Sequence, residues 1–420
     1  MSIAKVRGTR DLLPDDMIAQ QRVEQAAHDV FARFGYGEIR TPMFERTELF
    51  VRGIGEGTDI VSKEMYTFED RGGRSVTLRP EGTAGVVRAC LEQNLFKQSP
   101  VHKLYYVGPM FRYERPQAGR YREHYQAGIE AFGVADPLMD AEVLVCAYEF
   151  VGALGIKPVE IRLNSIGNEE RPAYIEKLKE YIRPRLAEMG ARDQERFEAN
   201  PLRMLDSKDA HTRELLEDAP KTADHLSPES VEHFDAVRRL LDRANVPYVV
   251  DPYIVRGLDY YTRTVFEITT AGLGAQDTIL GGGRYDDLVS EVGGGPVPGI
   301  GFAAGLDRLI LAMREQDVAI DERPKHDVYV VTIGDDTRET AFEALTALRR
   351  AGIRAEMDHQ GRSVRAQMKT ANQLRVPYVV VLGEDEIARQ EATVRDMDDQ
   401  SQETVPLAEL TSRLSARTNP

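Results

Sequence analysis

The sequence predicts an α/β chain, helices and strands mixed in two domains, 1–320 and 321–420, with a helical insertion over about 169–247 in the first. Three observations lead there. Up to residue 320, strand-like runs alternate with glycine-rich turns and basic loops. Residues 169–247 lack that chemistry and are rich in Glu, Arg, Lys and Ala at helical spacing. Beyond the polar, proline-bearing stretch Asp321–His326, apolar strand runs alternate with amphipathic helix patterns, as in a small α/β domain with a largely parallel sheet.

Taken in order, Asp15–Phe34 has helical periodicity with acidic residues at its start, and 36–51 reads as strand and turn around Pro42. Residues 53–64 form a glycine loop without the spacing of a phosphate-binding P-loop. A lid over a pocket and a plain connection both fit it. Thr77–Thr83 leads into a helix, and Tyr105–Met110 is a strand whose polar loop returns through Gln126–Glu130. Asp140–Gly152 is helical, Val159–Ile166 and Thr264–Thr270 are strands, and Leu306–Met313 is a helix. After the linker come strand Asp327–Ile333, helix Glu339–Ala351, strand Ile353–Met357, helix Ser363–Leu374 and strand Tyr378–Leu382.

Composition narrows the function classes. A chain of 420 residues has room for two or more domains. Its two cysteines, Cys90 and Cys146, sit in apolar helical patterns without Cys or His at metal-ligand spacing, so they read as packing residues in a reducing compartment. There is no apolar leader and no 18-residue apolar run, and a soluble, cytoplasmic protein is expected. A net charge of −15 excludes a general nucleic-acid coat, so an RNA partner has to be met by local basic patches.

Two such patches exist. From Lys103 to Arg122 there are five Lys/Arg and one acidic residue, a local charge of +4. Arginines on both arms of a strand–loop–strand converge on a polyanion, because guanidinium forks match phosphate oxygens two at a time. From Arg349 to Arg375 there are seven Lys/Arg and two acidic residues, a local +5 that suits phosphate contact along an RNA as well as a solvated helix face. Arg256-Gly-Leu-Asp-Tyr-Tyr places a fixed cation and two phenol groups just ahead of a strand. Pleat alternation is expected to send Tyr260 and Tyr261 to opposite faces. In Gly293–Leu311, a glycine run precedes a helix with Arg308 in its first turn, where a cation opposes the helix dipole and calls for an anion.

These segments together resemble the class II aminoacyl-tRNA synthetases, and within them the histidyl-tRNA synthetase family, over essentially the whole chain. Glu38–Glu45 with Pro42 is similar to the first class motif, Phe111-Arg112-Tyr113-Glu114 with Arg120 to the second, and Gly299–Arg308 to the third. Arg256–Tyr261 and Gly281-Gly-Gly-Arg-Tyr-Asp286 resemble the two histidine-specific motifs, and Val6–Asp11 also fits. The resemblance implies an antiparallel-sheet catalytic domain, a C-terminal anticodon-binding domain, a homodimer built on the first motif, and ATP, magnesium, histidine and tRNA as reaction partners.

It also implies residue roles. Arg112 contacts the α-phosphate and the substrate carboxylate, with Arg256 on the opposite side where other enzymes of the class use a metal ion. Arg308 holds the γ-phosphate. Glu114, Arg120, Tyr121 and His124 belong to the ATP site, His124 standing where the class usually stacks a phenylalanine on adenine. Glu81, Thr83 and Gln126 take the substrate's ammonium group, and Glu130, Tyr260 and Tyr261 read its imidazole. Arg115 and Gln117 face the tRNA acceptor end, and Arg349, Arg350, Arg354, Arg365 and Lys369 its anticodon side. A carboxylate nucleophile is already an anion, so the chemistry needs positioning and charge stabilisation rather than a general base. The alternative is a non-catalytic relative that regulates histidine biosynthesis, a group that generally lacks the C-terminal domain and loses motif residues.

Overall fold

The computed structural model describes residues 3–55, 57–115, 119–157, 159–207, 209–255, 257–273, 277–320 and 326–418. The chain divides into two compact units, Met1–Ile320 and Asp321–Pro420.

The strands of the first unit are β1 (Gly37–Glu38), β2 (Phe44–Arg46), β3 (Tyr66–Glu69), β4 (Ser75–Leu78), β5 (His102–Phe111), β6 (Glu123–Phe132), β7 (Val159–Ser165), β8 (Tyr248–Val250), β9 (Thr262–Thr270), β10 (Thr278–Arg284) and β11 (Gly299–Gly305). Among the described residues eight of them form one sheet in the order β1-β5-β6-β11-β10-β9-β7-β8. The interior pairings are antiparallel, and the two edge pairs, β1 with β5 and β7 with β8, are parallel. β2, β4 and β3 make a separate antiparallel sheet.

Side-chain alternation gives the large sheet two different faces. On one, Ala127, Ile129, Ile300 and Phe302 pack with Val23, Phe31, Phe150 and Leu309 from the helices Pro14–Arg33, Pro137–Ala153 and Leu306–Glu315. On the other, Tyr106, Tyr260, Tyr261 and Tyr285 form an aromatic cluster with Val86 and Val87 of the helix Thr83–Glu92. Both cysteines are buried, and burial pushes the Cys90 thiol up to about 12.

Between β7 and β8 the chain is helical, with Arg171–Ile182, Ala191–Ala199, Ala210–Leu215 and Pro228–Arg243 as its α-helices. The first three surround a small core of Tyr174, Leu178, Phe197 and Met204. The last helix joins the main core through Phe234, Val237 and Leu241. The helix content of this unit exceeds the expectation at one place. Thr47–Val51, read as strand and turn, belongs to the helix Thr47–Ile54, which buries Leu49, Phe50 and Ile54. Pro42 breaks the strand pattern early, and the apolar residues that follow fit one helical face.

In the second unit, β12 (Val328–Ile333), β13 (Ala355–Met357), β14 (Tyr378–Gly383), β15 (Glu391–Asp396) and β16 (Gln402–Pro406) form a sheet in the order β13-β12-β14-β15-β16. Its first two pairings are parallel and its last two antiparallel, so the sheet is mixed rather than largely parallel. β15 and β16 are joined by residues 397–401, too short for the crossover that a parallel pair needs. Leu345, Leu348, Leu410 and Leu414 cover one face, and Met368 and Ala371 the other. No helix among the described residues is long and apolar enough to cross a membrane.

Candidate active site

Glu130, on β6, is the centre of the aromatic face and is buried. Its Oε1 accepts the Thr83 hydroxyl at 2.7 Å and the Tyr106 hydroxyl at 3.4 Å, and its Oε2 accepts the Tyr285 hydroxyl. Gly301 faces it across the β6–β11 ladder, and a Cβ there would lie 2.2 Å from Oε2, so only glycine fits. Burial raises the Glu130 carboxyl to about 8, against the opposing pull of the Tyr285 and Thr83 hydrogen bonds.

Glu81 caps the helix Thr83–Glu92, accepting from the Thr83 amide at 2.6 Å and the Ala84 amide at 2.9 Å. Burial shifts its carboxyl upward, while those amides pull it down. Tyr260 and Tyr261 do not point to opposite faces. They lie in the turn before β9, where pleat alternation does not apply, and their ring centroids are 4.8 Å apart. Tyr260 also meets Tyr285 edge-on at 5.6 Å.

Beside this cluster, Arg112, Glu114, Arg120, Tyr121, His124, Gln126 and Arg308 line one cavity of about 180 Å³. The Arg112 Nε donates to the Pro80 carbonyl at 2.7 Å, and its Nη1 is 3.8 Å from Glu114. Arg120 reaches the other Glu114 oxygen at 3.4 Å. Arg308 donates from Nε to the Thr278 carbonyl at 3.1 Å. Burial and the charge of Arg120 both disfavour its cation, which an anion in the cavity would relieve. His124 is held neutral, its pKa lowered to about 3 by burial and then by Arg112. Its Nδ1 and the Gln126 Oε1 are buried without a hydrogen-bond partner among the described residues.

A wider cavity of about 540 Å³ joins Arg112, Glu114 and Arg120 to Asp59 and Glu64 of the glycine loop, to Arg196 and Arg203 of the insertion, and to Val255 and Gly257. Asp59 lies 3.1 Å from Arg196 and 3.7 Å from Arg203, and Asn200 donates to Asp259 at 2.6 Å. The glycine loop thus borders the site and is tied to the insertion. Arg256 and Gln117 lie outside the described residues. Arg115 is exposed at the mouth of the β5–β6 hairpin. No group of three His, Cys, Asp or Glu side chains suited to a metal ion occurs among the described residues.

In the second unit, Arg349, Arg350, Arg354, Arg365 and Lys369 are all exposed. Arg354 is paired with Asp327, and Arg349 donates to the Ala355 carbonyl at 2.9 Å, so these two also serve the sheet edge. Arg365 and Lys369 stand one turn apart on the helix Val364–Gln373.

Three residues at the site escaped the sequence reading. Tyr285 lies inside the Gly281–Asp286 motif, whose three consecutive glycines mask the phenol as a signal. Tyr106 is one of two adjacent strand tyrosines, and only the register tells which faces the pocket. Arg10 pairs with Asp307 and lies 4.5 Å over the Tyr121 ring. Its motif, Val6–Asp11, was the available signal.

Known proteins are similar to this chain over nearly its whole length. The family model described as histidyl-tRNA synthetase matches residues 8–309, and the anticodon binding domain model matches 327–417. The histidine–tRNA ligase of Desulforamulus reducens is 49% identical over 419 residues, covering 100% of both chains. That of Moorella thermoacetica is 50% identical over 409 residues, covering 97% of each. The crystal structure of apo S. aureus histidyl-tRNA synthetase superposes with a TM-score of 0.83 at 37% identity, covering 98% of this chain and 100% of that one.

Proposed function

The chain belongs to the histidyl-tRNA synthetase family, and we propose that it is a histidine–tRNA ligase, an aminoacyl-tRNA synthetase that first joins L-histidine to ATP and then transfers histidine to the 3′ end of its tRNA. The observation that carries this reading is the buried Glu130 carboxylate ringed by the hydroxyls of Thr83, Tyr106 and Tyr285. A neutral imidazole has one N–H donor and one acceptor nitrogen, which a carboxylate and a phenol can satisfy together. Another amino acid would leave those buried groups unpaired, which gives selection without editing.

In the first step a substrate carboxylate oxygen bonds to the α-phosphorus of ATP, and pyrophosphate leaves. Arg112, on the wall shared by both cavities, is suited to hold the α-phosphate and the substrate carboxylate. Arg256 follows Val255 and precedes Gly257, both on the wider cavity, and is assigned the opposite side of the reacting centre. Arg308 takes the γ-phosphate, Glu114 and Arg120 orient ATP, and Tyr121 and the neutral His124 take the adenine side. Glu81, Thr83 and Gln126 receive the ammonium group, while Glu130, Tyr260, Tyr261 and Tyr285 surround the imidazole. In the second step a terminal ribose hydroxyl of the tRNA attacks the adenylate carbonyl, and AMP leaves.

Magnesium enters with ATP as part of the substrate, consistent with a cation that binds through one or two carboxylates and phosphates rather than a dedicated protein cage. Glu114 is a carboxylate on the wall of the smaller cavity. A homodimer is supported by the large apolar side chains of Met43, Phe44 and Phe68, exposed on the small sheet that carries the first motif. Arg115 and Gln117 are assigned to the acceptor end, and Arg349, Arg350, Arg354, Arg365 and Lys369 to the anticodon side. We place the enzyme in the cytoplasm. The regulatory alternative is not favoured, because relatives named as ligases match the chain from end to end. Histidine-dependent exchange of pyrophosphate into ATP tests the proposal, and a pure, folded protein without that exchange would overturn it.

A further inference from the structure

Arg284 is the largest fully buried side chain among the described residues, at 0% exposure, yet none of the reaction steps uses it. It ends β10, directly after a register shift between Gly283 and Arg284. A bulge of this kind re-aims the strand end and loosens its ladder, so the next side chain needs another means of orientation. The guanidinium supplies one by gripping three places at once. Its Nε donates to Asp140 at 3.2 Å and its Nη2 to the second Asp140 oxygen. Its Nη1 donates to the Val134 carbonyl at 3.0 Å and to Asp286 at 3.1 Å. The residue between Arg284 and Asp286 is Tyr285, whose hydroxyl reaches Glu130. Asp286 in turn accepts the Gly299 amide at 3.3 Å, and Gly299 accepts the Tyr285 amide at 2.8 Å.

The helical insertion enters the same network. His233, on the helix Pro228–Arg243, donates from Nε2 to Asp140 at 3.1 Å, and its Nδ1 accepts from Arg263 at 3.4 Å. A buried ion pair is a weak source of net stability, since apolar replacements of the same volume often do as well. What it fixes is geometry.

We infer that Asp140 and Arg284 are positioning residues for histidine selection, acting through Tyr285, and that His233 couples the helical insertion to them. The inference rests on Glu130 and Tyr285 being the imidazole site. A lysine at 284 keeps the charge but cannot grip Asp140, Val134 and Asp286 together.

The test is a double-mutant cycle of Arg284→Lys and Tyr285→Phe in the full-length protein, read as KM for histidine and KM for ATP in pyrophosphate exchange. Each single change should raise KM for histidine by about tenfold to a hundredfold, the cost of one lost bond to a buried charged group. KM for ATP should stay within about twofold, and the double variant should resemble Tyr285→Phe alone, because Arg284 acts through the phenol. Multiplying effects, equal damage to both KM values, or an unchanged KM for histidine would overturn the inference. If Arg284→Lys does not fold, Asp286→Ala removes one of the three grips at a partly exposed site and must show the same coupling to Tyr285→Phe. Wild-type protein without histidine-dependent exchange would sink the imidazole-site premise itself, an outcome distinct from normal wild-type exchange with uncoupled variants.

Discussion

Thr83 donates its hydroxyl to Glu130 across 2.7 Å, joining the first turn of a helix to the middle of a central strand. The same helix start is capped by Glu81, so two buried carboxylates are organised by one turn of backbone. Burial pushes both carboxyls upward, Glu130 to about 8.

That shift has a signed consequence for stability. A carboxyl that takes up its proton more readily when folded makes the native state bind more protons than the unfolded chain between the ordinary 4.5 and about 8. Stability therefore falls as pH rises through that window, by at most about 1.4 kcal/mol per pH unit for one proton. Glu130→Gln should melt close to the wild type near pH 5 and above it near pH 9, in the absence of ligands. The same variant should lose roughly tenfold to a hundredfold in kcat/KM for histidine, because the carboxyl that pairs with the imidazole is gone. Thermal melts at the two pH values decide the first part, and parallel curves for both proteins would contradict it.

Arg256→Lys should leave histidine binding within a modest factor and slow adenylate formation by about 100- to 1,000-fold, the typical cost of one lost oxyanion donor. A lysine is a point charge on a flexible stem and cannot bridge carboxylate and phosphate with a planar fork. Single-turnover adenylation at saturating histidine and ATP is the measurement. A rate equal to wild type would take Arg256 out of the mechanism.

Arg10→Ala should weaken ATP more than histidine. Arg10 covers Tyr121 and pairs with Asp307, the residue before Arg308, so its loss frees one side of the cavity assigned to ATP and leaves a buried carboxylate without its cation. Leaving such a group unsatisfied costs about 1–3 kcal/mol, or roughly fivefold to a hundredfold in KM for ATP if it is felt at the site. Asp307→Asn in the same protein should restore thermal stability. An ATP KM that does not move would confine Arg10 to tethering the N-terminal segment.

The two units carry separate cores, so the first should work without the second. A protein ending at Ile320 should exchange pyrophosphate with histidine yet charge tRNA poorly. Every RNA phosphate that is no longer neutralised should also flatten the log–log salt dependence of tRNA binding by about 0.7–0.9. Once the shortened protein is shown folded by a cooperative melt, charging at the full-length rate would rule out residues 327–417 as the anticodon reader.

Much of this site was legible in the sequence because its parts are local. Phe111–Glu114 and Gly299–Arg308 each hold their functional groups within a few residues of a strand end or helix start, and periodicity places those. What pairs across the chain was not legible. Tyr285 and Glu130 are 155 positions apart, and Arg284 and Asp140 are 144. Local spacing reports which face of an element is covered, not which distant side chain covers it. The pair Tyr260 and Tyr261 failed for a related reason, since alternation was applied to residues that the chain puts in a turn. Likewise β15 and β16 carry short, mixed polar and apolar runs, such as Glu391–Asp396, too weak to reveal an antiparallel return.

Gly301, which leaves room for the Glu130 carboxylate, and Gly128, where a Cβ would lie 2.5 Å from the Tyr106 hydroxyl, make a floor that point mutation can fill but never deepen. Space for a bulkier amino acid must therefore be cut from the walls. The wall residues Tyr106 and Tyr285 supply two of the three hydroxyls that satisfy Glu130, beside Thr83, so enlarging the chamber takes hydrogen bonds from its carboxyl at the same stroke. Loss of discrimination and loss of a competent pocket then arrive together. Errors at these positions should yield an idle enzyme more readily than a permissive one, which protects the proteome from systematic misincorporation.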